Sequence, residues 1–500
     1  MLGRPFVVFR PALIGFVAVL LAMSGTALSP ASAVEPPTTC KNDVPRSESQ
    51  YPTYPRNGRP TKFAAIADGN YFSYPNRSGA ERGAIMNRVI NTIQSTWGTY
   101  YVPVKADQPT TCLTDEDGQY TAGWSRRQGS IRMTTWTFNH RGVRDALINA
   151  EKRGASVQII AARGINARGV DGKGPYKPWY QVRNFLRNWG KNTNSYGWEC
   201  GGACRGSGGA PHSKYFLFNN VGSAHSGNIV VQTSMNLTPF AVTGQWNQAT
   251  AIRGNSSVYA DFLHVFRQST PRYGGGGYYA RSRGFVTNIF FPKGRAADPV
   301  MSMLNRVRCK TGNRRTKVRL INYAIHDKRG NAVAKRLRTL WGAGCDVRII
   351  YSLSSRPVLK ILRSHAGRGP IPVRQSVIKN RKGEIVKYNH SKWLAVSGNY
   401  GGSPGRWTAL SGSSNMSNLA FTSDEQMQQL YGYRWTKGYF SAFSKTWGQK
   451  TSRPPRYGRM AAGTGTLAPQ EVVAEQEALK DVPLQPTWGK GIYKYMAEGG

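Results

Sequence analysis

The triplet His-Ser-Lys occurs twice in this chain, as His212-Ser213-Lys214 and His390-Ser391-Lys392. Each copy is followed by a Ser-x-Asn, Ser234-Met235-Asn236 and Ser413-Ser414-Asn415. Two imidazoles, two ammonium groups and two amides are the parts that a double displacement at phosphorus requires. One imidazole attacks, the other protonates the leaving oxygen, and the cations and amides hold the anionic phosphoryl oxygens. The duplication points to one active site assembled from two halves. In a strand, residues i and i+2 share a face, so each lysine lies beside its histidine, and a buried face carrying both calls for an anion.

The flanking sequence repeats as well, which predicts how the triplets are positioned. Tyr74-Pro75 with Met86-Asn87-Arg88-Val89 matches Phe291-Pro292 with Leu304-Asn305-Arg306-Val307, in each case a loop leading into a helix. Alternating, β-branched and aromatic stretches at 131–138 and 318–325 predict strands. Amphipathic helices follow at Val143–Lys152 and Ala332–Leu340, closed by Gly154 and Gly344, and then strands at 156–160 and 346–350. Strand, helix, strand is a βαβ unit. The triplets open third strands, Lys214–Phe218 and Lys392–Val396, and returns through Ile229–Gln232 and Trp407–Leu410 bring each Ser-x-Asn back beside its His-x-Lys. The predicted fold class is α/β: two pseudo-symmetric α-β-α sandwich halves with mixed central sheets.

The outer segments bound the protein. Arg4 and Arg10, an apolar run from Ala12 to Met23 and the small-residue site Ala31-Ser32-Ala33 read as a signal peptide over 1–33, so the mature protein is expected to be secreted. An N-terminal extension (34–61), a first half (62–268), a Gly-rich linker (269–282), a second half (283–450) and a tail (451–500) follow. The four-glycine loop Gly274–Gly277 lacks the lysine and serine of a phosphate-cradling loop and reads as linker. Six cysteines in an exported chain fit disulfides, assigned in chain order as Cys40–Cys112, Cys200–Cys204 and Cys309–Cys345. The alternative is a zinc site of Cys200, Cys204 and His212, but no second cysteine pair completes it, and neither metal nor cofactor is assigned. The net charge of +43 suits polyanions without choosing among them. Its densest run, Arg306 to Arg319, is either a dock or a solvated loop. Asp115-Glu116-Asp117-Gly118 reads as an acidic turn lacking the later glutamate of a calcium loop.

Two His-x-Lys motifs, each with βαβ context before and Ser-x-Asn after, resemble the phospholipase D superfamily over residues 62 to 450. The resemblance implies that His212 forms a phosphohistidine while His390 acts as acid and then base. It implies that Lys214, Lys392, Asn236 and Asn415 hold phosphoryl oxygens, with Ser234 and Ser413 as supporting substrate contacts. Glu425 stands where family members often carry a carboxylate that orients a catalytic imidazole; the first half has Asn247 there. Gly412 completes the family's Gly-Ser, whereas Thr233 replaces that glycine. Asn219 and Ser397 replace the aspartates of the common motif, a departure shared with the tyrosyl-DNA phosphodiesterase branch.

The leading reading is a secreted, metal-independent phospholipase D-like enzyme. It would hydrolyse glycerophospholipid headgroup diesters and transfer the phosphatidyl group to alcohols, as a monomer in peripheral contact with anionic or zwitterionic phospholipid. Trp198, Trp246, Trp393, Trp407 and Trp435 lie near the motifs and suit a lipid–water interface, with Trp393 and His225 as candidate substrate contacts. The alternatives are an extracellular nuclease, favoured by the charge and the missing aspartates, and an inactive binder of polyanions. His140 and His326 either line the cleft or serve the loops that end the first repeat strands.

Overall fold

The computed structural model describes residues 58–103, 113–114, 120–121, 124–168, 175–365, 367–381 and 385–455. The proposed signal peptide, the Asp115–Gly118 turn, Cys40, Cys112 and the tail beyond 455 lie outside them. The chain divides into two compact units, and Arg46–Val102 together with Arg126–Gly500 form the larger. In the smaller unit the described residues include a short antiparallel pair, Leu113–Thr114 with Tyr120–Thr121. Everything below belongs to the larger unit.

Its first half contains β1 (Gly69–Ser73), α1 (Ala84–Gln94), β2 (Ser130–Thr135), α2 (Arg141–Lys152), β3 (Ser156–Ala162), α3 (Lys177–Trp189), β4 (Tyr196–Cys200), β5 (Tyr215–Asn219), β6 (Ile229–Thr233), β7 (Gln245–Ile252) and α4 (Ser256–Gln268). The second contains β8 (Tyr279–Arg283), β9 (Val286–Phe290), α5 (Pro299–Asn305), β10 (Lys317–Ile325), α6 (Asp327–Gly342), β11 (Asp346–Ser354), α7 (Arg356–Arg363), β12 (Val373–Lys379), β13 (Ile385–Asn389), β14 (Lys392–Tyr400), β15 (Ser403–Gly412), β16 (Gln426–Tyr431) and α8 (Tyr433–Trp447).

The two sheets are copies of one design. The first runs β4-β3-β2-β5-β6-β7-β1, with β2, β3 and β4 parallel and the rest antiparallel. The second runs β12-β11-β10-β14-β15-β16-β9-β8 with the same pattern of directions. Parallel strands covered on both faces need apolar residues throughout, and every residue of β3 is buried. Alternation then sorts the layers. Ile131 and Met133 pack outward with Val143 and Leu147 of α2, and Val318 and Leu320 do the same with Val333 and Leu337 of α6. Between the halves, a shared cluster joins Tyr215, Leu217, Phe262 and Phe266 to Ile321, Trp393, Leu430 and Tyr439. A core drawn from both halves makes them one folding body rather than two beads on a linker.

Several boundaries move relative to the sequence reading. The predicted helix at Leu304–Val307 ends at Asn305, and Val307 instead pairs with Tyr400. Helix α6 starts five positions before the expected Ala332, directly after His326. The connecting segment stops at Tyr278, because β8 begins at Tyr279 and pairs with β9. Cys200–Cys204 and Cys309–Cys345 are disulfides, which leaves Cys200 and Cys204 without thiolates for zinc. Among the described residues, no helix is long and apolar enough to cross a membrane.

Candidate active site

The two triplets lie at the ends of β5 and β14 that face the other half, and each is held mainly by that other half. The backbone N–H of His212 donates to the carbonyl of Asp424 at 3.0 Å, and that of His390 to Trp246 at 2.9 Å. These bonds belong to two short parallel bridges, Pro211 with Asp424 and Asn389 with Trp246, that join the halves in equivalent ways.

The side chains follow the same crossed rule. Nδ1 of His212 lies 3.0 Å from both carboxylate oxygens of Glu425. Nδ1 of His390 lies 3.1 Å from Oδ1 of Asn247. The Asn247 amide donates to the Ala241 carbonyl at 3.1 Å, which turns its oxygen toward the imidazole. Each acceptor receives a hydrogen bond from Nδ1–H, which leaves Nε2 of the neutral ring as the lone-pair nitrogen. Both Nε2 atoms are buried and have no hydrogen-bond partner among the described residues.

Ser234 donates to Asn247 Oδ1 at 2.8 Å, and Ser413 donates to Glu425 Oε2. The structure thus places the two serines behind the imidazole partners, with their hydroxyl protons committed to them. Gly412 is required before Ser413, because a Cβ there would lie 2.0 Å from the Gln426 carbonyl oxygen. At the equivalent place Thr233 uses its hydroxyl, which donates to the Gln248 carbonyl at 2.6 Å.

The lysines are fully buried. Nζ of Lys214 and of Lys392 donates to the carbonyl of His212 and of His390, each at 2.6 Å. Their backbone N–H groups donate to Gln426 Oε1 at 2.9 Å and Gln248 Oε1 at 3.1 Å. Gln426 and Gln248 therefore tie each lysine strand to the opposite half. The sequence reading missed both glutamines, although each follows the paired positions Glu425 and Asn247 and so repeats with them. It also missed Trp136 and Tyr323, equivalent residues on the first repeat strands whose rings lie 5.5 Å from His212 and 5.1 Å from His390. Arg329, paired with Asp298, reaches the Asn415 carbonyl at 2.6 Å and braces the second Ser-x-Asn.

Other candidates are placed elsewhere. Trp393 is 2% exposed and packs on Tyr439 and Phe443, because adjacent strand residues face opposite ways and Lys392 takes the site-facing direction. His225 sits in the turn between β5 and β6, a strand length from His212, stacked on Trp97 at 4.5 Å. His140 caps α2, accepting from Val143 N–H at 3.3 Å, and His326 precedes α6 beside Asp327 at 2.8 Å. Trp246 and Trp435 are buried, and Trp407 packs on Tyr433 and Phe440. Of the five tryptophans that suggested a lipid interface, Trp198 stands out as exposed.

Burial dominates the electrostatics. Desolvation, helped by the two lysines against the pull of Glu425, lowers His212 to about 4. His390 lies well below its ordinary value, through burial and then Lys392 and Lys214. Burial brings Lys214 down to about 7, and burial, then the Lys214 charge, holds Lys392 well below its ordinary value. Burial alone would raise Glu425, but His212, Lys214 and the Ser413 hydroxyl outweigh it and hold the group ionised. The histidines and lysines thus perturb one another, as one cluster around a single carboxylate. Two buried lysines against one carboxylate make a site that a phosphodiester monoanion would complement, favouring protonation of both lysines as it binds.

The linkage gives a testable slope. Lys214 has a folded value of about 7 against an ordinary 10.5, so between them the unfolded chain binds the proton that the folded chain does not. Stability contributed at this site is therefore lowest below pH 7 and rises toward pH 10. Lys214→Met should flatten that rise in urea midpoints measured across this range, and an unchanged slope would assign it elsewhere.

Residues 125–269 match the family model described as cardiolipin synthase, PLD-like domain. No curated protein matches the chain. Among solved structures, phosphatidylserine synthase of Haemophilus influenzae is 10% identical with TM-score 0.49, covering 80% of this chain and 90% of its own. Polyphosphate kinase of Porphyromonas gingivalis is 13% identical with TM-score 0.44, covering 75% of this chain, which spans 54% of that kinase's length. The phospholipase D family member Nuc of Salmonella typhimurium is 19% identical with TM-score 0.24, covering 34% of this chain and 97% of its own.

Proposed function

We propose, from the PLD-like domain over residues 125–269 and the second half that repeats its sheet, that this protein is a phosphodiesterase acting through a phosphohistidine. The observation that carries the reading is the crossed pairing of His212 with Glu425 and His390 with Asn247. Nε2 of His212 attacks phosphorus and the P–O bond to the leaving group breaks. The attacking ring becomes cationic, and Glu425 at its Nδ1 stabilises that charge. His390, protonated once a diester monoanion faces it, gives its proton to the leaving oxygen. A neutral amide at Nδ1 keeps His390 the stronger acid. The neutral ring then takes a proton from water or an alcohol, which attacks the phosphohistidine and frees His212. Lys214, Lys392, Asn236 and Asn415 stabilise the equatorial oxygens, so the charge that builds in the transition state is met by protein groups.

The substrate reading is a glycerophospholipid headgroup diester, supported by the matched family's description. Single-stranded nucleic acid is the second reading, favoured by the net charge of +43. Export rests on the N-terminal sequence and is consistent with the two disulfides. The test is choline release from phosphatidylcholine vesicles beside digestion of single-stranded DNA, both with chelator present and His212→Ala as control. Choline release lost in the variant supports the lipid reading, and DNA cleavage alone moves the protein to the nuclease reading. Silence on both, with bis(p-nitrophenyl) phosphate also untouched, would sink the enzyme.

A further inference from the structure

The catalytic cluster sits at the C-terminal ends of the parallel strands of the first sheet. Toward their N-terminal ends, at the open edge beside β4, lies a cavity of about 450 Å³ lined in part by Arg132, Gln158, Tyr196, Trp198, Arg267 and Arg272. That volume is in the range of small-ligand pockets. Arg132 is about 10 Å along β2 from Thr135, so the cavity is separate from the histidine site.

Comparison of the two halves explains why it exists. Equivalent registers place Arg132 where the second half has Arg319, and Ser156 where it has Asp346. In the second half this place is closed from within. Arg319 donates to the Asp346 carboxylate at 2.5 Å and lies over the Phe443 ring, while Arg348 and Arg374 pack on Trp447. The first half lacks both closures: Ser156 replaces the carboxylate, and Ser269 stands at the helix end that Trp447 occupies in α8. Among the described residues Arg132 donates to neutral oxygens, Gln158 Oε1 and Ser130 Oγ at 3.0 Å and the Tyr259 hydroxyl at 3.2 Å. Among the described residues no carboxylate pairs with Arg132, Arg267 or Arg272.

Guanidinium groups without a carboxylate suit phosphate oxygens, which they bind in a fork. Trp198 is 40% exposed on the same wall, and an exposed indole beside such cations offers a stacking face for a base. A lipid headgroup would use the arginines and leave the indole without a planar partner. We propose that this cavity binds one nucleotide unit of a single-stranded nucleic acid, with its phosphate on the arginines and its base against Trp198. The site is independent of which diester the histidine pair cleaves.

The test is fluorescence anisotropy of a labelled oligothymidine with the full chain at physiological salt. Trp198→Ala and the double change Arg267→Gln with Arg272→Gln should each weaken binding about tenfold, the double change also lowering the salt slope by about 1.4. Arg314→Gln with Arg315→Gln, which removes equal charge from an exposed hairpin, should change affinity less than twofold. Hydrolysis of bis(p-nitrophenyl) phosphate should be unaffected in all of them, which separates this site from the catalytic reading. Trp198→Ala binding within twofold of the parent, or a hairpin control as damaging as the cavity pair, would overturn the proposal. So would loss of phosphatidylglycerol vesicle binding in Trp198→Ala with oligothymidine binding intact, since the cavity would then serve a lipid surface.

Discussion

Given bis(p-nitrophenyl) phosphate, His390→Asn should release one equivalent of p-nitrophenol per protein and then stop, whereas His212→Asn should release none. The asymmetry follows from the proposed roles of nucleophile for His212 and acid–base for His390. Nitrophenolate leaves without a proton, so attack by His212 needs no help from position 390. The second step does, because water must lose a proton as it attacks the phosphohistidine. His390→Asn should therefore trap a phosphoryl adduct on His212, visible by intact mass at alkaline pH, where a phosphoramidate survives. Steady turnover should fall by roughly 10²- to 10⁴-fold for the acid–base position, with larger losses at the nucleophile. A burst in His212→Asn and none in His390→Asn would exchange the roles, and an adduct in neither would remove the covalent mechanism.

Glu425→Gln should be the most destabilising isosteric change in the site. It keeps the shape of the side chain but removes the carboxylate facing His212, Lys214 and Lys392, all of them buried. The neighbouring Asp424 cannot substitute, since its oxygens accept from the Cys204 and Arg205 N–H groups and burial raises it to about 7. Breaking a buried pair from one side costs about 3–5 kcal/mol. The lower end is expected here, because Lys214 already sheds its proton near pH 7 and so limits the penalty. Urea midpoints at pH 6 should drop accordingly, and millimolar phosphate should restore more stability to the variant than to the parent by replacing the missing charge. A variant as stable as the parent, indifferent to phosphate, would mean that the lysines do not depend on Glu425.

Much of the architecture could be read from the residues because the determinants are local and occur twice. The alternation at 131–138 and 318–325, the helices ending at Gly154 and Gly344, and the returns to Ser234 and Ser413 each report a period set by backbone geometry. All reappear as equivalent elements, and duplication made weak signals checkable against each other. The misplacements have one physical cause: an aromatic or histidine near a motif carries no label for the face it takes. Trp393 follows Lys392 by one residue and points the opposite way into the core, and His225 is carried to the far end of its hairpin.

The sequence by itself determined the chemistry on offer, two His-x-Lys and two Ser-x-Asn units on repeated βαβ scaffolds, because residue type and strand period are local properties. Only the tertiary structure decided that each half orients the other's imidazole, Glu425 across to His212 and Asn247 across to His390. It also decided that Gln426 and Gln248 bind the opposite lysine strands, and that Arg132 is left without the carboxylate given to Arg319. The contacts that cross between the halves join residues more than a hundred positions apart. They arise when two sheets pack about a shared core, and periodicity along the chain carries no information about which half supplies a partner.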